Sequence, residues 1–107
     1  MTIITARPDE IGVTLLVAGD LDVAGAWDVR QCVSSLAGDG VRRFDVDLRA
    51  VDFVDSSGMG QLARYWAAAG ADGVGLRLAA ASDRFWDLAR ATGRRHHFDF
   101  VEPLLAS

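Results

Sequence analysis

The stretch FDVDLRAVDFVDSSGMG, residues 44–60, passes from strand chemistry to helix chemistry without a linker. Phe44, Val46 and Leu48 alternate with Asp45 and Asp47, the period of a strand with one apolar and one polar face. Val51-Asp-Phe-Val54 continues as an apolar, strand-like run and stops at an acid, two serines and a glycine. Beyond them Met59, Leu62, Ala63, Trp66 and Ala69 recur at helical spacing, so a helix opens at the serines and the pattern predicts its end at Gly70. A strand, a polar turn and a helix in that order form the crossover unit of an α/β fold.

Working outward, residues 74–78 (VGLRL) repeat the alternation. A sheet covered on both faces would instead read as continuous apolar runs. The sheet is therefore expected to carry its helices mainly on one face. Upstream, residues 3–6 and 13–18 are two short apolar runs separated by RPDEIG, which reads as a β-hairpin. After Gly19-Asp-Leu-Asp22, the residues Ala26, Val29, Cys32, Val33 and Leu36 recur at helical spacing; Asp22 is the expected N-cap, and Gly38 and Gly40 the expected end. A third helix is predicted from a cap at Ser82 through Phe85, Leu88, Ala89 and Thr92, with Gly93 just beyond its end. Residues 98–101 read as a last edge strand. The order β-β-α-β-α-β-α-β predicts an α/β domain with a mixed, mostly parallel sheet, an antiparallel N-terminal hairpin and right-handed crossovers.

The 107 residues form one domain, 1–107, half of them hydrophobic, with a core burying about two-thirds of the unfolded surface. The net charge is −4 and every basic residue is arginine, a balance that argues against a nucleic-acid-binding face. Arg42-Arg43 and Arg94-Arg95 read as solvated edges. Cys32, without a second cysteine to pair with, suits a reducing compartment. Residues 1–10 lack the basic start and apolar core of a signal peptide, and no apolar run reaches the length of a membrane span. The expectation is a soluble cytoplasmic protein.

The serines fall where a helix exposes unpaired N–H groups and the positive end of its dipole. A serine there either caps the helix or carries a phosphate that the helix end tolerates. Asp55 suffices as the cap, which leaves Ser56 and Ser57 to be explained. Gly58 and Gly60 each cost about 1 kcal/mol relative to alanine in a helix, and small residues beside the serines would let a partner approach closely. The chemistry alone does not choose between cap and phosphoacceptor. Trp27 falls opposite the apolar stripe of the first helix, with Gln31 and Ser34. It reads either as an exposed interface anchor or as a ring packed under a loop. Trp66 lies on the buried stripe, and Trp86 is uninformative. His96-His97 with Asp99 is no metal site by its pattern, since adjacent side chains rarely converge on one ion. DSSG is not a G-x-S-x-G nucleophile elbow, and no phosphate-cradling glycine loop is present. Neither enzyme activity nor a cofactor is expected.

Three segments together, GDLDVAGAWDVR (19–30), FDVDLRAVDFVDSSGMG (44–60) and GVGLRLAAASDRFWDLARATG (73–93), resemble a STAS domain. The resemblance is to the free-standing anti-sigma factor antagonists of bacteria and spans residues 13–101. It implies that Ser57, the second serine of DSSG, is phosphorylated by an anti-sigma factor that is also a serine kinase. The unphosphorylated form would bind that partner and free a sigma factor; phosphorylation would release it, and a phosphatase would reset the switch. The resemblance also implies that Asp55 orients the turn and takes part in partner recognition, that Ser56 supports it, and that Asp22 lies near the same surface; Trp27, Gly58 and Met59 are expected to share in partner binding. The sequence departs from the family at Asp20, where glutamate is usual, at Met59, where leucine is common, and at Arg94, where an apolar residue is usual. Two alternatives stand beside this reading: a STAS subunit of a stress-signalling scaffold or lipid-transport ATPase complex, and a serine hydrolase pairing Ser57 with His96 or His97.

Overall fold

Asp9 closes the first turn: its carboxylate accepts from the backbone N–H groups of Ile11 and Gly12, each at 2.9 Å, a side-chain-locked turn of the Asx kind. From it strands β1 (Thr2–Pro8) and β2 (Val13–Leu21) run antiparallel in the computed structural model, which describes residues 1–98. There follow α1 (Val23–Gly38), β3 (Arg43–Val54), α2 (Ser56–Ala71), β4 (Gly75–Ala81), α3 (Asp83–Ala91) and a 3-10 turn, Arg95–His97. The sheet order is β1-β2-β3-β4, with β2, β3 and β4 mutually parallel. The predicted last strand over 98–101 lies outside the described residues except for Phe98, which is buried.

The alternation sorts the sheet as predicted. Leu15, Val17, Phe44, Val46, Leu48 and Leu78 are buried on one face, and the helices bury Val29, Leu62, Trp66 and Phe85 against it. Each such side chain contributes roughly 1.5–3 kcal/mol of transfer free energy. The other face carries charges in pairs. Asp45 and Arg77 are register partners on β3 and β4, joined at 3.0 Å, and Asp47 meets the Arg49 guanidinium at 2.7 Å. Burial alone would raise the Asp47 carboxyl, but the hydrogen bonds and charge of Arg49 outweigh it and hold Asp47 below the usual carboxylate range.

One correction concerns length. The second helix does not stop at Gly70. It continues to Ala71, and the chain turns at Gly73, whose φ is +79°. There the Val74 N–H donates to the Ala69 carbonyl at 2.8 Å and the Gly73 N–H to that of Gly70 at 3.1 Å, the Schellman closure. A glycine inside the last turn lowers propensity only, whereas the closing residue must be left-handed. Gly93 closes α3 the same way, as predicted, with the Arg94 N–H on the Ala89 carbonyl at 2.9 Å.

Strand β3 runs from the alternating residues 44–48 on through the strand-like residues 51–54, as predicted, but its register is broken twice. Leu16 pairs with Asp47 but Ala18 with Ala50, and Gly19 pairs with Val51 but Asp20 with Phe53. Each shift inserts one extra residue into β3, the geometry of a bulge. The first flips the alternation, so Val51 returns to the buried face. Together they bring Leu21 level with Val54. The residue after each is an aspartate, and the two strands therefore deliver Asp22 and Asp55 side by side.

Candidate functional site

Asp22 and Asp55 cap neighbouring helices in the same manner. The Asp22 carboxylate accepts from the Gly25 N–H at 2.8 Å, and the Asp55 carboxylate from the Gly58 N–H at 2.7 Å. Each bond satisfies one of the orphan donors of a helix start and typically contributes about 1 kcal/mol. With Asp55 in that role, Ser56 and Ser57 are the first two residues of α2, and both are exposed. Among the described residues neither hydroxyl is engaged in a hydrogen bond. The turn therefore separates its tasks: the acid holds the helix, and the serines present free hydroxyls.

The structure places Gly58 and Met59 inside the protein, not on a contact surface. A Cβ on Gly58 would come within 2.2 Å of the Leu21 carbonyl oxygen and 2.6 Å of the Asp22 Cα. Gly58 thus makes room for the chain's own β2–α1 junction, and not for a partner. Met59 is fully buried, with its sulfur 3.9 Å from the Thr92 hydroxyl, so its side chain offers nothing to an approaching protein. The helical stripe that predicts Met59 as core is the property that prevails, because the first turn of α2 already faces the sheet.

An open cleft of about 460 Å³ flanks the serines, lined by Val23, Ser56, Ser57, Gly60, Gln61, Arg64 and Arg94. Ser57, Gly60, Gln61 and Arg64 lie at i, i+3, i+4 and i+7, one face of α2. That spacing makes Gln61 and Arg64 findable in the sequence once Ser57 is singled out. Arg94 arrives from the end of α3 and carries no such signal; its guanidinium lies against Gly60, where a Cβ would approach Nη2 to 3.3 Å. Across the cleft stands Val23, an exposed apolar residue at the start of α1. One turn further along α1, Trp27 is 46% exposed. Its ring meets Tyr65 edge-on at 6.3 Å between centroids and lies under the Arg30 guanidinium at 4.9 Å. Trp27 is on the surface, as the helical projection predicts, though outside the cleft lining. Trp66 is core, packed edge-on against Phe98 at 5.1 Å.

His96 and His97 stack on each other at 4.1 Å on the 3-10 turn, and neither lines the serine cleft. Among the described residues no group of three or more His, Cys, Asp or Glu is placed to hold a metal ion; Asp99 lies outside them. Burial raises the Cys32 thiol above its ordinary pKa, which disfavours the reactive thiolate. No helix among the described residues is long and apolar enough to cross a membrane.

A family model described as Mlab, STAS domain matches residues 4–103. A search of curated proteins finds no match. Among solved structures, an anti-sigma factor antagonist from Mycobacterium paratuberculosis superposes with a TM-score of 0.75 at 21% identity, over 97% of this chain and 88% of that one. The anti-sigma factor antagonist SpoIIAA in its unphosphorylated form gives a TM-score of 0.68 at 18% identity, over 94% and 90% of the two chains. The Bacillus cell fate determinant SpoIIAA in its phosphorylated form gives 0.61 at 19% identity, over 94% and 93%. At these identities the likeness is one of fold.

Proposed function

This chain belongs to the STAS domain family, and from that premise we propose that it is an anti-sigma factor antagonist, a binding module and not an enzyme. In this reading the unphosphorylated domain docks in the cytosol on an anti-sigma factor that is also a serine kinase, and so frees a sigma factor. The kinase moves the γ-phosphoryl group of ATP onto the Ser57 oxygen, with release of ADP and of the hydroxyl proton, and the complex separates. A phosphatase returns Ser57 to its hydroxyl form. The observation that carries the proposal is the division of labour at the turn: Asp55 alone caps α2, leaving the Ser57 hydroxyl exposed at the helix start. Structures of such antagonists in both phosphorylated and unphosphorylated forms share this fold.

The switch is electrostatic. Phosphate adds about −1.5 to −2 charges at neutral pH. The helix N-terminus offsets part of this, at most by about 2 kcal/mol, so the domain stays folded. A partner surface packed on a neutral hydroxyl must bury that charge or open a gap, either of which costs several kcal/mol. Val23 beside the serines and Trp27 one turn further along α1 supply apolar contact for the docked state, and the caps Asp22 and Asp55 hold the turn in shape.

The test is phosphorylation of wild type, Ser56→Ala and Ser57→Ala with the co-purifying kinase and ATP, followed by site mapping with tandem mass spectrometry. Ser57→Ala should accept no phosphate and bind constitutively, and Ser56→Ala should still be modified. Phosphate on Ser56 would move the acceptor by one residue; none on either serine, with a competent kinase, would end the mechanism. Membership of the STAS family is equally compatible with one rival, a STAS subunit of a stress-signalling scaffold or a lipid-transport ATPase complex. Pull-down with mass spectrometry separates the two, since one predicts a small ATP-binding kinase as prey and the other a transporter ATPase.

A further inference from the structure

The cleft beside Ser57 is cationic. Among the described residues its charged lining residues are Arg64 and Arg94, and no carboxylate lines it. Five other arginines in the fold, Arg30, Arg42, Arg49, Arg77 and Arg90, have hydrogen-bonding partners. Among the described residues neither the Arg64 nor the Arg94 guanidinium has a hydrogen bond or ion pair. Arg94 is nevertheless well positioned. Its N–H is tied to the Ala89 carbonyl at 2.9 Å, its carbonyl accepts from the His97 N–H at 3.0 Å, and its guanidinium lies along Gly60. A glycine there leaves open the space beside α2 that the guanidinium occupies. Arg64 completes the cleft from two turns further along the helix face that carries Ser57.

We infer that this cleft is a phosphoryl-binding site for the phosphoserine formed at position 57 of the same chain, with Arg94 and Arg64 capturing the phosphate in cis. The inference rests on the reading of Ser57 as phosphoacceptor. A guanidinium presents parallel N–H donors that match phosphate oxygens, and such charge-assisted bonds are stronger than neutral ones. With no carboxylate among the described residues to surrender, the two arginines can turn to the phosphate at the cost of side-chain freedom and hydration. Capture pins the loop after α3 to the first turn of α2. The phosphorylated form then differs from the free form in surface shape as well as charge, although both keep one fold.

Phosphoserine installed at position 57 by genetic code expansion tests this without any kinase. In the full chain, phosphorus NMR titration should give a second phosphate pKa about half a unit lower in the wild-type background than in Arg94→Gln, the size of a solvent-exposed ion pair. Arg64→Gln should show a change of the same sign. The helix start, Asp55 and Asp22 act equally in all these proteins, so the difference isolates the arginines. The phosphorylated wild type should melt above phosphorylated Arg94→Gln, whereas the unmodified proteins should melt alike. Equal phosphate pKa values in wild type and Arg94→Gln overturn the inference. If the partner kinase fails to modify Ser57 while the titration difference persists, the functional reading fails and the phosphoryl site stands. If the kinase succeeds and the difference is absent, only capture in cis fails.

Discussion

Replacing Gly58 with alanine measures how closely the two helix starts are packed. A Cβ at that position would meet the Leu21 carbonyl oxygen at 2.2 Å and the Asp22 Cα and carbonyl carbon at 2.6 and 2.7 Å. All three are backbone atoms, at the last residue of β2 and the N-cap of α1, so none can swing aside as a side-chain tip could. Overpacking of a rigid site costs about 1–3 kcal/mol, and contacts this short belong at the upper end. Alanine returns about 1 kcal/mol through helix propensity. The net expectation is a loss of about 2 kcal/mol, a fall of roughly 10 °C in melting temperature for a domain of this size. Two further glycines of the same helix serve as controls. Gly70 has nothing within 4 Å of its Cβ position, so Gly70→Ala should gain up to about 1 kcal/mol. At Gly60 the nearest atom is the flexible Arg94 Nη2 at 3.3 Å, so Gly60→Ala should be close to neutral. Urea denaturation with parallel thermal melts decides the order. Gly58→Ala as stable as wild type would refute the reasoning, and Gly58 would return to being a partner-facing residue.

Three other outcomes follow from the same geometry. Asp55→Ala leaves the Gly58 N–H without its 2.7 Å acceptor and should cost about 1 kcal/mol in urea denaturation; a larger fall in phosphorylation rate than that loss explains would place Asp55 in partner recognition as well. Trp27→Ala removes an exposed ring and its edge contact with Tyr65, so stability should drop by about 1 kcal/mol or less, while partner affinity measured by calorimetry drops by about 2 kcal/mol. Asp47 has a folded pKa below its ordinary value, so its contribution is present above about pH 4, the unfolded range, and is lost as pH falls through the folded pKa. Because Arg49 is largely exposed, that contribution is at most about 1 kcal/mol; Asp47→Asn should flatten the acid limb of the stability curve by that amount, and an unchanged limb would show that the pair is energetically silent.

Much of this molecule is local and therefore readable from its residues. Strand alternation at Phe44, Val46 and Leu48 has a period of two, and helical spacing at Met59, Leu62 and Trp66 has one of 3.6; each period reports a buried face without reference to the rest of the chain. The caps Asp22, Asp55 and Ser82 and the closing Gly93 act within four residues of themselves, so their roles are legible too. The same helical period places Trp27 on the surface and Gln61 and Arg64 on the face that carries Ser57.

Tertiary structure alone decided what those elements meet. Two bulges in β3 bring Leu21 and Val54 level, and only that coincidence sets Gly58 against the β2–α1 junction. A glycine that reads as an opening for a partner is thereby an internal contact. Met59 offers both readings in the sequence, and the docking of α2 on the sheet resolves it to core. Arg94 belongs in sequence to the end of α3, where it reads as part of a solvated edge. The closing turn of α3 sets its guanidinium against Gly60 of α2, in the cleft beside the serines. The charge around Ser57 could not be read from DSSG, whose own residues contribute only an acid. It depends on which distant side chains the packed helices bring to the cleft, and packing is a property of pairs of elements that no single period encodes.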